Sequence, residues 1–457
     1  MPSYNARSRR LPAKQENGVR KSKAGIGLAL AIMATGAHGA GFDCAKAGTE
    51  VEKAICASPK VSALDGKLAE AYTAALKNHA GAADALKLDQ RHWLASRDET
   101  LAAYPSVSEA EASVVAYYQA RIDFLHGLDA PAWPRPFDGL RSAVAKLPPG
   151  EATLPADFAK GGADVVIAED VRLDNASAFP YQPDAGIKDA LKDLETAGGY
   201  RKLAGSPISS VWSIGGTAHC WSEAPFRIQG KQAVEVGAPS VWGDGDCMTV
   251  HGIARIGKQY VAYVVGDGSP DEVSLDAAAW NGKAFDPGQR LVLRFDHVLK
   301  TDASACAPGK GACDEFAKVA MAAATRYDRS PQKGTLDNAF APYDKAAYAA
   351  LLKAARAQGG PLEKDGQPPE LPLLEDSGKM AGFSRDATVF PLVFRGETLL
   401  ALIDHGHVGW RDNNDWLVGT WRLQAGKLEP AASAYISVTR GKLLLAAPVP
   451  APPPESH

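Results

Sequence analysis

A proline-rich segment at residues 129–137 divides the chain into two parts with different hydrophobic periodicity. Pro131, Pro134 and Pro136 lie close together here, which prevents a helix from continuing and makes the segment a semi-rigid linker. Before it, apolar residues recur at the three- and four-residue intervals of amphipathic helices. After it, short β-branched and aromatic runs alternate with turn residues, as in antiparallel hairpins. The change predicts an α+β protein with two domains.

The predicted first domain, residues 42–128, carries three helical stripes. Leu64, Leu68 and Tyr72 begin the first, and two more lie within 86–104 and 114–125. Ser58-Pro59 and residues 62–65 each match a pattern for a helix start. Three short helices can bury one small core, and a disulfide would add stability that so small a domain needs.

The predicted second domain, residues 138–447, is antiparallel and β-rich, with a helical insert near 314–358 and a proline-rich tail at 448–457. Residues 257–265 and 396–403 share one pattern, a Gly turn followed by an apolar run. The similarity indicates either a duplicated β-structure or two unrelated amphipathic hairpins. A small propeller-like fold and a sandwich both fit such strands.

The first 39 residues have the layout of a secretory signal peptide. A basic stretch ending at Lys23 precedes an apolar run at 24–34 and small residues at 35–40. An uncleaved membrane anchor is the alternative; after cleavage we expect no stable membrane span. Residues 1–40 carry a net charge of +6, so the chain's −3 becomes −9 without them. Such an acidic mature chain is a poor nucleic-acid binder, and we expect a periplasmic or secreted protein of a bacterial envelope.

The chain has an even number of cysteines, all beyond the predicted signal. In an exported protein this indicates disulfides, and zinc binding is the alternative. Spacing favours neighbour pairing: Cys44 with Cys56, Cys220 with Cys247, and Cys306 with Cys313.

The order of residues in the first domain resembles the amino-terminal domain of the LprI lysozyme-inhibitor family. The residues that carry this resemblance are Phe42, Asp43, Glu52, Leu64, Asp65, Tyr72, Gln90, Trp93, Leu94, Arg97 and Asp98. The resemblance implies a small, exported, α-helical domain whose partner is a lysozyme-type hydrolase. The family pattern has a second cysteine pair, one after the Arg-Asp and one before the last helix, which this chain lacks.

These family residues are of a type that suggests structural roles. Trp93 lies on an apolar stripe, which favours a core position over a binding surface, and Arg97 and Asp98 favour a structural ion pair. Residues 41–129 carry a net charge of −4, the sign that suits a cationic lysozyme.

One polar cluster in the second domain could bind a metal ion. Asp404, His405 and His407 form a weak candidate metal site, because His405 and His407 would share one face of a strand. A polar strand end is the simpler interpretation. The chain contains no GxSxG, HExxH, SxxK or Rossmann glycine motif, so we expect no cofactor and no enzyme. Tryptophans are concentrated in the second domain, either as a sugar-stacking platform or as strand core.

The sequence therefore predicts an exported, non-enzymatic binding protein that resembles a lysozyme inhibitor and binds a cationic cell-wall hydrolase. The alternative is a periplasmic envelope-associated module that binds peptidoglycan, another glycan or a protein without inhibition. A hydrolase in the β-rich part is a third hypothesis.

Overall fold

The computed structural model describes residues 40–48, 50–102, 107–149, 154–193, 197–215, 220–242, 250–269, 271–302, 310–329, 342–359, 373–374, 380–381, 388–405 and 415–450. The predicted signal peptide and the tail beyond Pro450 lie outside these residues. Among the described residues, no helix is both long enough and apolar enough to cross a membrane.

Nine α-helices are described, and the first four form the helical region that the sequence predicts. These four are α1 (Glu50–Ala57), α2 (Pro59–Asn78), α3 (Ala83–Ala102) and α4 (Val107–Gly127). The later helices are α5 (Arg141–Val144), α6 (Asp157–Lys160), α7 (Ala185–Ala190), α8 (Lys310–Arg329) and α9 (Lys345–Gly359). The short α1 is an addition to the three predicted helices. The disulfide between Cys44 and Cys56 ties its end to the entry turn, which confirms that predicted pair.

The start of α2 shows which of two helix-start patterns is used. The Ser58 hydroxyl accepts a hydrogen bond from the Val61 backbone N–H at 3.2 Å, and Pro59 occupies the first turn, where its missing N–H costs nothing. The start predicted at residues 62–65 is wrong, because Ser62 and Asp65 already lie inside the helix and are buried.

The described strands, in chain order, are β1 (Val165–Ile167), β2 (Glu169–Arg172), β3 (Gln182–Pro183), β4 (Ala197–Lys202), β5 (Ile208–Gly215), β6 (Cys220–Gln229), β7 (Gln232–Glu235), β8 (Val250–Ile256), β9 (Gln259–Ser269), β10 (Glu272–Ala279), β11 (Gln289–Asp302), β12 (Leu373–Leu374), β13 (Met380–Ala381), β14 (Thr388–Phe394), β15 (Glu397–His405), β16 (Asp415–Gln424) and β17 (Lys427–Pro450). All pairs are antiparallel except β3 with β7. The fold is therefore α+β with an antiparallel β-rich part, as the sequence predicts.

The larger sheet has nine strands: two four-stranded meanders joined at their last strands, and β1 at one edge. Its order is β1-β8-β9-β10-β11-β17-β16-β15-β14. The two similar segments found in the sequence fall on equivalent strands, because residues 257–265 form the turn and strand β9 and residues 396–403 form the turn and strand β15. Two hairpins of the second meander turn at Arg395-Gly396 and Ala425-Gly426, all four residues with positive φ, as a type I′ turn requires.

The smaller sheet has the order β2-β4-β5-β6-β7-β3. It meets the larger sheet through a core cluster that includes Ile208 of β5, Ile253 of β8 and Ala262 of β9. Four tryptophans of the β-rich part are buried, at 2–9% exposure (Trp212, Trp242, Trp280 and Trp421). These four side chains are buried and are not available to stack on a sugar.

The predicted helical insert covers both faces of the second meander. Phe316 and Ala320 of α8 pack with alternate residues of β15, including Ala401. Leu351 of α9 packs with the intervening residues, including Leu402. The apolar run of β15 therefore has no polar alternation, because neither of its faces meets water.

The proline-rich segment is packed rather than free. Trp133 is 7% exposed and Phe137 is fully buried, and both belong to the core cluster over β9, β10 and β11. The segment carries the chain from α4 onto the sheet, and the domain boundary proposed at residues 129–137 stays a prediction.

The helical region shares one core with the larger sheet. Tyr118, Phe124 and Leu125 of α4 cluster with Val292 of β11 and with residues of β17 that include Ala447. At the end of α4 a Cβ on Gly127 would overlap the carbonyl oxygen of Pro448, and backbone cannot move aside as a flexible side chain can. Helix α4 and strand β17 thus approach as closely as their backbones permit.

The close approach at Gly127 predicts a specific sensitivity. We expect Gly127→Ala to lower the free energy of unfolding by about 1–3 kcal/mol, although alanine favours helix, because the added methyl meets the β17 backbone. Gly81→Ala is the control, since nothing lies within 4 Å of its Cβ position; we expect a change within about 0.5 kcal/mol. Urea unfolding followed by circular dichroism measures both. Equal stabilities would show that the contact is not tight.

Candidate functional site

The family residues on α2 and α3 come together with residues of α4 in one network of buried polar and aromatic side chains, which we call the lattice. Asp65 is its first node: its Oδ1 accepts a hydrogen bond from the Tyr118 hydroxyl at 2.9 Å, and its Oδ2 accepts one from the Gly41 backbone N–H at 3.0 Å. Nη1 of Arg97 lies 3.6 Å from the same carboxylate. One side chain of α2 therefore connects the entry segment, α3 and α4.

Trp93 is the apolar centre of this lattice. It is 2% exposed, with the ring of Tyr117 stacked on it at 5.3 Å and that of Tyr118 edge-on at 5.2 Å between centroids. The Arg97 guanidinium lies over the indole, 5.7 Å from its centroid. A guanidinium held against an aromatic face gains electrostatic attraction and keeps its edge free for hydrogen bonds.

The edge of the Arg97 guanidinium is used by Asp98. Nε and Nη2 of Arg97 donate to Asp98 Oδ1 at 2.9 and 2.7 Å. The structure therefore places Arg97 in ion pairs with both Asp98 and Asp65.

A second node joins the helices to the sheet. Asp89 of α3 is 2% exposed and Arg121 of α4 is 1% exposed, and Nη1 of Arg121 lies 2.6 Å from Asp89 Oδ2. Gln90 Oε1 accepts from Nε and Nη2 of the same arginine at 3.1 and 2.8 Å. Burial lowers the pKa of Arg121, and the Asp89 carboxylate opposes that shift.

Arg294 of β11 completes this node from the sheet side. Its Nε lies 3.6 Å from Asp89 Oδ1, and its Nη1 lies 2.8 Å from Glu272 of β10. The Phe124 ring has both guanidiniums, of Arg121 and Arg294, within 5.4 and 5.7 Å of its centroid. Together these residues form the junction cluster: Asp89, Arg121, Phe124, Glu272 and Arg294.

The sequence patterns named most of the first node, but of the second node they named the polar partner Gln90 and not the buried charges Asp89 and Arg294. Asp89 precedes Gln90 on α3 within a run of polar residues, so the sequence does not indicate that this carboxylate is buried. Arg294 carries a visible signal, a lone charge in the apolar run Leu291 to Phe295 of a strand. That signal indicates a buried charge but does not identify its partner, which lies about 200 residues away in the chain.

The surface of the helical region is balanced in charge. Three of its carboxylates lie in the lattice (Asp65, Asp89 and Asp98), and the side chains of Glu50, Glu99 and Glu109 are outside the described set. Seven carboxylates and seven cations remain at least partly exposed: Asp43, Glu52, Glu70, Asp84, Glu111, Asp123 and Asp129, against Lys46, Lys53, Lys60, Lys67, Lys77, Lys87 and Arg91. The net charge of −4 in the sequence does not produce an acidic face on the described surface.

The remaining candidates from the sequence stay predictions. Asp404 and His405 end β15 but their side chains, like all of His407, lie outside the described set. The same holds for the side chains of the two other predicted disulfides: Cys220, Cys247, Cys306 and Cys313. Within the described part of the chain, no group of three His, Cys, Asp or Glu side chains is arranged to hold a metal ion.

The arrangement defines a class of module: disulfide-tied helices around a Trp-centred polar lattice, docked on a β-sheet. Comparison with known families identifies one family to which the helical part is similar. Residues 43–125 match the model of the family described as lysozyme inhibitor LprI, about a fifth of the chain. This match confirms the resemblance found in the sequence. Neither the curated proteins nor the solved structures contain a significant match to the chain.

Removing one charge of the junction cluster should strongly destabilise the protein, and removing its partner as well should restore much of the stability. Asp89→Ala leaves the Arg121 charge buried without its ion-pair partner, so we expect a loss of about 3–5 kcal/mol in the free energy of unfolding. The double variant Asp89→Leu, Arg121→Met removes both charges and should recover a large part of that loss. Asp84→Ala, on the exposed side of the same helix, should change stability by less than about 0.5 kcal/mol. Denaturant unfolding tests all three; additive losses in the double variant would contradict the pairing.

The two tyrosines beside Trp93 predict a loss of stability at alkaline pH. Burial raises the pKa of Tyr117 to about 12 and raises that of Tyr118 as well. Both folded values exceed the unfolded value of about 10. The protonated phenols therefore contribute stability that is complete below pH ~10 and is lost as the pH rises through the folded pKa values.

We expect the double variant Tyr117→Phe, Tyr118→Phe to remove two late-ionising phenols from the ultraviolet titration and to flatten the alkaline loss of stability. Tyr181→Phe, on the smaller sheet, is the matched control. If every phenol of the folded wild type titrates with a pKa near the ordinary value of about 10, Tyr117 and Tyr118 are not shielded.

Proposed function

We propose that this protein is an exported, non-enzymatic binding protein that inhibits a lysozyme-type cell-wall hydrolase through its helical region. The observation that carries the proposal is the family match at residues 43–125. The lattice supports it, because the residues that define the resemblance are joined into one folded unit around Trp93 and Asp65. The predicted signal peptide supports export to the periplasm or beyond.

The partner we propose is a cationic hydrolase, held by complementarity of shape. The family residues of the lattice are largely buried, so contact must be made by exposed residues of the outer helix faces. The described surface there is balanced in charge, which gives no broad electrostatic attraction. Helix α4 presents small exposed side chains, Ala112, Ala116 and Ala120, over which a partner can approach the backbone closely.

The β-rich region has two proposed roles. Through the junction cluster it supports α3 and α4, and the shared core buries apolar residues of α4 that an isolated helical fragment would expose. We further propose that it serves as a second recognition or docking module.

A lysis assay with purified mature chain, beginning at Ala40, tests the proposed function. We expect it to slow c-type or g-type lysozyme at micromolar concentration. Substitutions that add a long side chain then locate the contact surface. Ala112→Arg and Ala116→Arg on α4 do so at exposed helix positions with little cost to the helix. At least one should weaken inhibition by about tenfold.

Ala185→Arg on α7, an exposed position of the β-rich region, is the matched control and should inhibit like the wild type. Failure of the wild type against both lysozyme classes would overturn the inhibitor proposal. Inhibition that both α4 substitutions leave intact and the control abolishes would move the activity to the β-rich region.

A further inference from the structure

Charge is segregated across α2. Its inward carboxylate, Asp65, is taken up by the lattice, whereas its lysines point away from the core. Lys60, Lys67 and Lys77 are exposed and form no ion pair with any described side chain. We call these three residues the lysine face.

The lysine face follows one side of the helix. At 3.6 residues per turn, Lys60 and Lys67 lie within about 20° of each other around the axis, and Lys77 lies about 100° from Lys60. With a rise of 1.5 Å per residue the three span roughly 25 Å. The only carboxylate between them on this face is Glu70, which is exposed.

The fold directs this face away from the sheet. Helix α2 packs on α1, α3 and α4, whereas the contacts with β11 and β17 are made by α3 and α4. The cations of the neighbouring elements do not extend this face as clearly, because Lys46 of the entry turn lies 3.6 Å from Asp43. On α2 itself three lysines and one carboxylate, Glu70, are exposed, although residues 41–129 as a whole are acidic.

We propose that the lysine face binds the peptide carboxylates of peptidoglycan. A single exposed ion pair contributes little in water, so such a face retains only a ligand that repeats its charge over tens of ångströms. A network polymer bearing many carboxylates meets that requirement, and a compact cationic enzyme does not. The choice of polymer rests on the proposed function, because peptidoglycan is the substrate of the hydrolase that the protein would inhibit.

The test is co-sedimentation of the full mature chain with insoluble peptidoglycan. The variant Lys60→Glu, Lys67→Glu, Lys77→Glu reverses the lysine face. The matched control Lys146→Glu, Lys188→Glu, Lys231→Glu makes the same change of charge at exposed lysines of the β-rich region. We expect wild type and control to sediment alike, the lysine-face variant to lose at least about tenfold in apparent affinity, and salt to weaken binding of the wild type. Circular dichroism verifies that both variants are folded.

Amidated peptidoglycan, in which the peptide carboxylates are neutral, should retain much less wild-type protein. Equal retention of the two triple variants, equal retention on amidated polymer, or no retention of the wild type would overturn the proposal. Inhibition of lysozyme is measured separately on a soluble oligosaccharide. A wild type that inhibits lysozyme but is not retained by the polymer would refute only the lysine face. A wild type that is retained through the lysine face but does not inhibit lysozyme would refute only the inhibitor function.

Discussion

The junction cluster is the interaction on which the rest of the structure depends. Two guanidiniums, of Arg121 and Arg294, and the Asp89 carboxylate are all largely removed from water where α3 and α4 meet β11. Such charges are tolerated only when each has a close partner, so this geometry admits little sliding of the helices on the sheet. At the end of α4, the close approach of Gly127 to the Pro448 carbonyl oxygen restricts the same contact between the helices and the sheet. The helical region and the larger sheet are therefore placed by polar and steric constraints, and apolar packing fills the space between them.

The residues that define the family resemblance are different from those that would carry function. Trp93, Arg97 and Asp65 satisfy one another inside the lattice, and a partner meets the faces that they hold in place. Recognition on such a scaffold varies through exposed positions while the core stays as it is. The lysine face of α2 and the exposed alanines of α4 (Ala112, Ala116 and Ala120) are two such surfaces with different chemistry, and our proposals assign the first to a polymer and the second to an enzyme.

Prediction from the sequence succeeded where the signal was local. The periodicity of α2 and α4, the cap at Ser58, the Cys44–Cys56 pair and the alternation of helix and strand character on either side of residue 130 are all encoded within a few neighbouring residues. The similarity of residues 257–265 and 396–403 also located two equivalent strands. The sequence failed at residues 62–65, because a helix-start pattern inside a longer helix has no effect once an earlier proline has begun it.

The sequence by itself determined the longer helices, the antiparallel strand character beyond the linker, the class of the helical region and the sign of its total charge. Only the tertiary structure decided how those charges are distributed. Asp89 and Arg294 are about 200 residues apart, and their pairing follows from the docking of α3 on β11. That docking and the lattice at Asp65 draw carboxylates inward and leave lysines outside. The physical reason is that a buried arginine requires an anionic partner whereas a lysine on an outer helix face is stabilised by water alone.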